Sequence, residues 1–423
     1  MCPAKGKALK MIPIEESEEQ SNWDFVSHFT LENPPEGLLS TIKGSQFLKP
    51  YFEFSGACAG CGETTYAKLI TQLFGDRMMI SNAAGCTTVW GGSAPSVPFT
   101  QDENGYGPCW GFSLFEDNAE YGLGMFLGYC VVREEIRTKL ENICTRIGET
   151  NDIAQLQLLE AINEWEQNYD EGEETRKRSA KLIKMLEKNL ELDGVKEILE
   201  RKDYLIKRSN WIFGGDGWAY DIGYGGLDHV MSTGNDVNVM VFDTEVYSNT
   251  GGQASKSTPR AAIAKFAAAG KSGRKKDLGK MIMGYGNVYV AQIAIGANPS
   301  QALKAIREAE AYHGPSLIIG YAPCVNHGIK GGMGKTQSHE KKAVESGYWN
   351  LYRYNPSLKE QGKNPFQLDS GEPKIPFKDF LMSEVRYMSL MQRDPELAEE
   401  LFRQAQEDAH NRFEEYKRLS LSL

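Results

Sequence analysis

The stretch that decides the fold is Trp211 to Pro259, WIFGGDGWAYDIGYGGLDHVMSTGNDVNVMVFDTEVYSNTGGQASKSTP, in which apolar runs alternate with glycine-rich turns. Ile212 and Phe213 lead into the first turn, a helix is predicted over Ala219 to Met231, and Val237 to Phe242 leads into a second polar turn. Strands and helices that alternate in this way build parallel sheets. The sequence therefore predicts an α/β fold, a parallel sheet flanked by helices, with ligands bound beyond the carboxyl ends of the strands.

The two turns together predict a metal site. Asp216, in Gly215-Asp216-Gly217, and Thr244 each follow a strand, so their side chains are expected to meet across one crevice. Glycine lets the backbone approach a phosphate without a Cβ in the way, and Mg²⁺ takes hard oxygen ligands together with substrate phosphate. Gly-Asp-Gly alone is also ordinary turn chemistry. The second glycine-rich turn, at the right distance, favours a diphosphate–magnesium site.

These residues resemble a known signature. Gly-Asp-Gly followed, after a helix and a strand, by an amide or hydroxyl is similar to the thiamine-diphosphate signature, and DTEVYSNTGGQASKSTP over 243–259 resembles the cofactor domain of the pyruvate:ferredoxin (flavodoxin) oxidoreductases. The resemblance implies thiamine diphosphate and Mg²⁺ as cofactors, with contacts at Gly215, Asp216, Gly217, Thr244, the Val246 carbonyl and Asn249. Asn249 is then expected to face the thiazolium and the substrate. Thr244 stands where the wider thiamine family usually offers asparagine.

Four cysteines form a second candidate site. Cys58 and Cys61 make a CxxC pair before a predicted helix (Thr64 to Phe74), Cys86 follows a predicted strand (Arg77 to Asn82), and Cys324 follows another. Thiolates in this number suit zinc or an iron–sulfur cluster. Local zinc sites usually pair two CxxC knuckles, so the scattered ligands favour a cluster, with zinc and inert buried thiols as the alternatives.

The family resemblance extends to this second site. SGACAGCGETTY over 55–66 and NAAGCTTVWGG over 82–92 resemble the family's segments around the cluster nearest the thiamine. The resemblance implies a [4Fe-4S] cluster on Cys58, Cys61, Cys86 and Cys324, and it places Glu63 and Cys86 close to the thiamine cofactor, with Glu63 as a catalytic candidate. Cys109, Cys130 and Cys144 are given no role.

Composition limits the classes of protein. The chain has 423 residues, 41% of them hydrophobic, and a formal charge of -10, which argues against nucleic-acid binding. No apolar run reaches membrane-spanning length, and Met1 to Ser40 lacks the apolar core of a signal peptide. Eight cysteines are few for a disulfide scaffold in a chain of this size. We therefore expect a cytoplasmic protein that binds neither nucleic acid nor membrane.

The chain is predicted to fall into four parts. Residues 1–45 are expected to be a linker remnant after a ferredoxin-like repeat, because Met-Cys-Pro with Cys2 resembles the end of CxxCxxCxxxCP. Residues 46–130 and 211–330 are expected to form the core, 131–210 a helical insertion rich in charged residues, and 331–423 a tail that wraps the core. Gly331 to Thr336 suggests a phosphate-binding loop but lacks its leading glycine, so it is interpreted as a lid over the cluster.

The resemblance implies an oxidative decarboxylation. Pyruvate and coenzyme A are the implied substrates, with ferredoxin or flavodoxin as electron acceptor and a homodimer as the complete enzyme. In this family a separate amino-terminal domain supplies the glutamate that activates the thiamine ring, so the chain alone is expected to bind the cofactor weakly and not to turn over. Two alternatives stay open: a cluster-binding fragment without catalysis, and the β subunit of another 2-oxoacid:ferredoxin oxidoreductase.

Overall fold

The computed structural model of the protein describes residues 6, 19–27, 37–38, 41–93, 97–113, 115–149 and 152–421. Cys2, the predicted last cysteine of a ferredoxin-like repeat, lies outside the described residues. The chain divides into two compact units, Met1–Lys49 and Pro50–Leu423. The first unit contains the helices α1 (Glu19–Ser27) and α2 (Ile42–Ser45).

One eight-stranded sheet lies at the centre of the described part of the second unit. Its strands are β1 (Met78–Asn82), β2 (Cys109–Phe112), β3 (Ser209–Gly215), β4 (Asn238–Asp243), β5 (Tyr289–Ile293), β6 (Ser316–Tyr321), β7 (Tyr352–Tyr354) and β8 (Phe366–Leu368). Their order is β2-β1-β3-β4-β6-β5-β7-β8. The first six are parallel to their neighbours, whereas β7 and β8 are antiparallel. The predicted parallel sheet is thus confirmed, with an antiparallel edge added.

Helices cover the sheet, as the predicted α/β class requires. They are α3 (Gly62–Phe74), α4 (Cys86–Thr88), α5 (Asn118–Ile147), α6 (Ile153–Gln167), α7 (Thr175–Glu187), α8 (Val195–Glu200), α9 (Tyr224–Ser232), α10 (Leu278–Met283), α11 (Pro299–Glu310), α12 (Thr336–Glu345), α13 (Phe377–Leu381), α14 (Val385–Arg393) and α15 (Pro395–Leu421). The central strands β4, β5 and β6 are buried along their whole length. Strands covered on both faces have continuous apolar sequences rather than alternating ones, which is why these runs were visible in the sequence.

Helices α5 to α8 pack around an apolar core of their own. Leu140 of α5, Leu158 and Trp165 of α6, and Leu182 of α7 are among its fully buried side chains. The helical region begins earlier than the predicted insertion at residue 131, because α5 starts at Asn118 and its first turns pack against the sheet. The division of the chain into four parts stays a prediction.

The alanine-rich run Ala261 to Ala269 predicts a helix from its composition, and this prediction is wrong. Ala261 and Phe266 have φ angles of 72° and 66°, which an α-helix does not accommodate. The backbone instead pairs with distant residues, since the Lys265 N–H donates to the Gly252 carbonyl at 2.9 Å. This segment therefore packs as an extended loop beside the turn that follows β4.

The segment after residue 330 takes part in the core. This segment supplies β7 and β8, which were not predicted from the sequence. It also contributes five buried side chains from its helices to the hydrophobic core: Phe380, Tyr387, Leu390, Phe402 and Tyr416. The sequence predicts one helix over Phe377 to Met391, but the structure has two helices there, α13 and α14. None of the helices in the described part of the chain combines the length and apolar character that a membrane span requires.

Candidate functional site

Four neighbouring strands end at the same edge of the sheet and deliver their loops to one place. In the sheet order β1, β3, β4 and β6 are adjacent and parallel, so the segments that follow them meet. A cavity of about 330 Å³ lies there. Its lining includes Glu63, Cys86, Gly215, Asp216, Gly217, Trp218, Val246, Tyr247, Ser248 and Asn249. This is the position where open α/β sheets bind ligands.

Three oxygen atoms meet beside this cavity, and two of them belong to residues that line it, Asp216 and Val246. The Thr244 hydroxyl lies 2.8 Å from Oδ1 of Asp216 and 3.0 Å from the Val246 carbonyl oxygen. The Thr244 N–H also donates to Oδ1 of Asp216 at 3.1 Å. The three residues predicted as magnesium ligands are therefore brought together.

The two distances from the Thr244 hydroxyl are hydrogen-bond distances, and they also equal the separation of neighbouring ligands in a magnesium octahedron. In an octahedron with Mg–O distances of about 2.0–2.1 Å, neighbouring ligands lie about 2.8–3.0 Å apart. The three donors are a carboxylate, a hydroxyl and a carbonyl, which is the hard-oxygen chemistry that Mg²⁺ takes. Burial, and then the charge of Asp243, raises the pKa of the Asp216 carboxyl to about 7. A bound cation would offset this cost of burying the carboxylate charge.

The glycines of the first turn serve two different purposes. A Cβ on Gly215 would meet only the Phe242 carbonyl oxygen, at 4.0 Å, so the cavity side of this residue is open to a ligand. A Cβ on Gly217 would lie 2.5 Å from the ring of Tyr247. Gly217 is thus required by the packing of the second turn against the first, a reason that the sequence did not reveal.

Glu63 is a buried carboxyl group that faces the cavity. It lies at the start of α3, is 3% exposed, and accepts a hydrogen bond from Nε1 of Trp90 at 2.7 Å. Burial raises the pKa of Glu63 to about 7, and the charge of Asp216 adds to this shift. A carboxyl group with this pKa can hold or release a proton near neutral pH, which is the property of a general acid or base.

Asn249 lies on the exposed side of the cavity, in the loop after β4. Gly251 and Gly252 give this loop its shape, with φ angles of 106° and 89°, and the Tyr247 N–H closes it on the Gln253 carbonyl at 2.9 Å. The loop therefore holds Asn249 at the cavity mouth.

The four predicted cluster ligands lie close enough to affect one another. Burial, then Glu63, raises the pKa of Cys86 to about 12, with Cys324 and Cys58 adding to the shift. Burial likewise raises the pKa of Cys324 to about 11, and the pKa of Cys61 is raised as well. Within the described residues, however, no three or more Cys, His, Asp or Glu side chains are grouped so as to hold a metal ion. The donor chemistry suits a cluster, while the thiols are not gathered around a single ion.

Backbone contacts connect the cysteine segments to the cavity. The Gly62 N–H, next to Cys61, donates to the carbonyl of Pro323, which precedes Cys324, at 3.1 Å. Buried His327 lies with Nε2 2.8 Å from the Thr244 carbonyl oxygen, so it is a hydrogen-bonding neighbour of the loop that follows β4. One side of the cavity is thereby fixed to the segment that carries Cys324.

The glycine-rich loop at residue 331 lies against the CxxC turn. A Cβ on Gly60 would come within 2.3 Å of the Met333 carbonyl oxygen, and the Thr336 hydroxyl donates to the Gly60 carbonyl at 2.6 Å. The interpretation of this loop as a cover beside the cysteines stays a prediction.

Several polar residues of the site were not singled out from the sequence. Ser248 lies with its hydroxyl 3.3 Å from the Cys86 sulfur, and Ser255 and Ser257 donate to Asp216. All three lie within the run SNTGGQASKSTP, so the motif itself was a signal, although nothing in the spacing of its hydroxyls indicated their partners. Trp90, which donates to Glu63, lies in the same way within the quoted motif NAAGCTTVWGG, but its partner was not indicated by the sequence.

The comparisons with known proteins define the class of domain first. Residues 198–319, which contain β3, β4, β5 and most of β6, match the family model of the thiamine pyrophosphate enzyme, C-terminal TPP binding domain. The matched segment carries Asp216, Thr244 and Val246. This part of the chain is therefore similar to TPP-binding domains, and the predicted α/β fold, a parallel sheet flanked by helices, is confirmed.

Comparisons of the whole chain identify a particular kind of relative. It is 55% identical over 99% of its length to the pyruvate-flavodoxin oxidoreductase of Klebsiella pneumoniae, 35% of which is covered, and 52% identical to the pyruvate:ferredoxin oxidoreductase of Moorella thermoacetica, 36% of which is covered. The chain is a homologue of a part of these enzymes, and the resemblance predicted from the sequence is confirmed. The chain spans about a third of the length of these two curated relatives.

Two more distant similarities complete the comparison. The chain is 44% identical, over 99% of its length and 24% of the relative's, to the pyruvate dehydrogenase [NADP(+)] of Cryptosporidium parvum. A solved structure of a 2-oxoglutarate:ferredoxin oxidoreductase from Magnetococcus marinus matches 65% of this chain and 67% of that chain, with a TM-score of 0.38 and 12% identity. A structural similarity this low carries no functional information.

Proposed function

We propose that the chain is the thiamine-diphosphate- and cluster-binding part of an enzyme that oxidatively decarboxylates pyruvate. Pyruvate and coenzyme A would give acetyl-CoA and carbon dioxide, with electrons passing to ferredoxin or flavodoxin. The observation that carries the proposal is the meeting of the Asp216, Thr244 and Val246 oxygens beside a cavity that Glu63 and Cys86 line. The 55% sequence identity to a pyruvate-flavodoxin oxidoreductase, which extends over 99% of the chain, supports the proposal.

The metal and the diphosphate are assigned to the two turns. Asp216, Thr244 and the Val246 carbonyl would hold Mg²⁺, and the open side of Gly215 would admit the diphosphate. Gly217 would contribute by keeping Tyr247 packed against the first turn. A pre-formed set of oxygens needs little rearrangement on binding, which favours affinity.

The reacting end of the cofactor is assigned to the opposite wall. When bound, thiamine diphosphate supplies a centre that stabilises carbanion character after loss of carbon dioxide. Glu63 would hold a proton near that centre, Asn249 would orient the substrate at the cavity mouth, and Cys86 would border both sites. Burial of Glu63 excludes water around its carboxyl group, which favours a directed proton transfer.

A [4Fe-4S] cluster on Cys58, Cys61, Cys86 and Cys324 would supply a one-electron acceptor beside the cavity. Anaerobically purified chain is expected to contain about four iron and four sulfide per molecule and to lose its visible absorbance on reduction. Cys324→Ser is expected to remove most of the iron, whereas Cys144→Ser, on α5, leaves it in place. Elemental analysis checks this prediction, and stoichiometric zinc in place of iron would contradict it.

The remaining parts of the reaction are assigned to regions outside this chain. The relatives are about three times as long, and we infer that further domains complete the site, that the complete enzyme is a homodimer, and that it is cytoplasmic. The related enzymes are named for flavodoxin, ferredoxin or NADP(+) as acceptor, although all share the region that is similar to this chain. The choice of acceptor is therefore assigned to another part of the enzyme.

A chimera tests the proposed function. The chain would replace the corresponding third of the Klebsiella pneumoniae enzyme, and reduction of a viologen dye would be followed with pyruvate and coenzyme A. The chimera is expected to reduce the dye only when both substrates are present, while the chain alone is not expected to turn over. Preference of a folded, cofactor-loaded chimera for another 2-oxo acid would favour the alternative, a relative of other 2-oxoacid:ferredoxin oxidoreductases.

A further inference from the structure

The second carboxylate oxygen of Asp216 has two hydroxyl donors. The hydroxyls of Ser255 and Ser257 both lie 2.7 Å from Oδ2, while Oδ1 faces Thr244. The two serines are 4% and 0% exposed, so no water competes with them from bulk solvent. Oδ2 is thus held by the two serines, whereas Oδ1 accepts from the N–H and the hydroxyl of Thr244, the residue proposed as the neighbouring magnesium ligand.

The loop that carries the serines is itself fixed from several sides. The Lys271 ammonium donates to the Ser255 carbonyl at 2.7 Å and to the Thr258 carbonyl at 2.6 Å. The Ser255 N–H donates to the Thr258 hydroxyl at 2.8 Å, and this hydroxyl donates to the Glu245 carbonyl. Glu245 lies between Thr244 and Val246, and we call the segment Thr244 to Val246 the ligand loop. The loop that carries Ser255 and Ser257 is therefore hydrogen-bonded directly to the ligand loop.

We propose that Ser255 and Ser257 are positioning residues that restrict Asp216 to a single oxygen toward the metal and so set the site's preference for Mg²⁺ over a larger cation. The inference rests on the proposed function, because it assigns Asp216 as a magnesium ligand. With Oδ2 occupied by two donors, the carboxylate cannot rotate to present both oxygens. Partners of this kind orient metal ligands, and their loss typically lowers metal affinity by about 10–100-fold.

The expected selectivity follows from the coordination chemistry. Mg²⁺ requires near-octahedral geometry with short bonds, whereas Ca²⁺ accepts six to eight oxygens and bidentate carboxylates. Removal of both hydroxyls frees Oδ2, so Asp216 becomes able to bind through two oxygens. The apparent affinity for Mg²⁺ should therefore fall more than the apparent affinity for Ca²⁺. A general loss of structure would lower both affinities equally, so the ratio of the two affinities separates it from a loss of positioning.

The test uses the full 423-residue chain. Binding of thiamine diphosphate is titrated with Mg²⁺ and separately with Ca²⁺ for the wild type, Ser255→Ala, Ser257→Ala and the double variant. The double variant is expected to lose about 10–100-fold in apparent Mg²⁺ affinity and about tenfold in the Mg²⁺ to Ca²⁺ ratio. Ser255→Thr, which keeps a hydroxyl, is expected to retain most of the Mg²⁺ affinity and most of the Mg²⁺ to Ca²⁺ ratio.

Ser179→Ala is the matched control. Ser179, on α7, is also buried at 1% exposure, but its hydroxyl has no hydrogen-bond partner in the described part of the chain. Ser179→Ala should leave the apparent Mg²⁺ affinity and the Mg²⁺ to Ca²⁺ ratio unchanged. An unchanged Mg²⁺ to Ca²⁺ ratio in the double variant, whether affinity is kept or falls equally for both ions, overturns the inference while the proposed function stands. Absence of metal-dependent cofactor binding by the wild type overturns both.

Discussion

Replacement of Arg386 by methionine is expected to lower the free energy of unfolding by about 3–5 kcal/mol, because buried carboxylates lose their partner. Arg386, on α14, is 4% exposed. Its Nη2 donates to Oε2 of Glu245 at 2.6 Å, and its Nε donates to Glu384. Methionine fills a similar volume without a charge, so both carboxylates stay buried with fewer donors.

The same substitution is expected to weaken the ligand loop. Glu245 has a φ angle of 60°, an unfavourable conformation for a residue with a Cβ, and it lies between Thr244 and Val246. Lys275 and Tyr348 also bond its carboxylate, at 3.0 and 2.5 Å. These contacts hold the strained residue in place, so losing the Arg386 contact should reduce metal-dependent cofactor binding as well as stability.

Denaturant unfolding of the Arg386→Met chain, followed by circular dichroism, measures this effect. Arg403→Met on α15 is the matched control, because its guanidinium pairs with Glu400 and Glu407 with 63% of its side chain exposed. Exposed pairs contribute about 0–1 kcal/mol. A loss of less than about 1 kcal/mol in Arg386→Met would show that the buried network does not support the fold.

Asp216→Asn is expected to weaken magnesium-dependent binding of thiamine diphosphate by more than about 100-fold, since even partners of metal ligands contribute 10–100-fold. Asparagine has the same shape but no charge, and its amide group cannot accept from both serines while presenting an oxygen to the metal. Equilibrium dialysis with labelled cofactor measures the loss. Asp228→Asn on α9, whose carboxylate accepts from Tyr285 at 2.8 Å outside the cavity lining, is the control.

The free chain is not expected to lose stability in Asp216→Asn. Burial raises the pKa of this carboxyl to about 7, so its charge is unfavourable in the folded chain without a cation. A thermal midpoint at or above that of the wild type would agree with a role in metal binding. A midpoint well below it, with cofactor affinity unchanged, would instead assign Asp216 to folding alone.

The sequence was informative where local signals are strong. Apolar runs that end in glycine-rich turns marked β3 and β4, and the residues after them, Asp216 and Thr244, meet as predicted. The CxxC turn and Cys86 were likewise marked by their position next to predicted elements. Such patterns depend on short segments, which a single sequence displays directly.

Features that depend on distant partners were not predictable. The alanine-rich run after Pro259 has a high helix propensity, but its backbone pairs with Gly252, and two of its residues adopt positive φ. Arg386 and Glu245 are 141 positions apart, so nothing in either local sequence announces their contact. Tertiary contacts determine the backbone conformation of the alanine-rich run, and they also hold the ligand loop in place.

Calorimetric titration of thiamine diphosphate into the 423-residue chain, in Mg²⁺ and then in excess EDTA, tests the central claim most directly. If the oxygens of Asp216, Thr244 and Val246 hold the metal that bridges the diphosphate, weak binding of one cofactor per chain should appear in Mg²⁺, vanish in EDTA and return when Mg²⁺ is restored. Equal binding with and without the divalent cation, or its survival in the Asp216→Asn chain, would contradict the account.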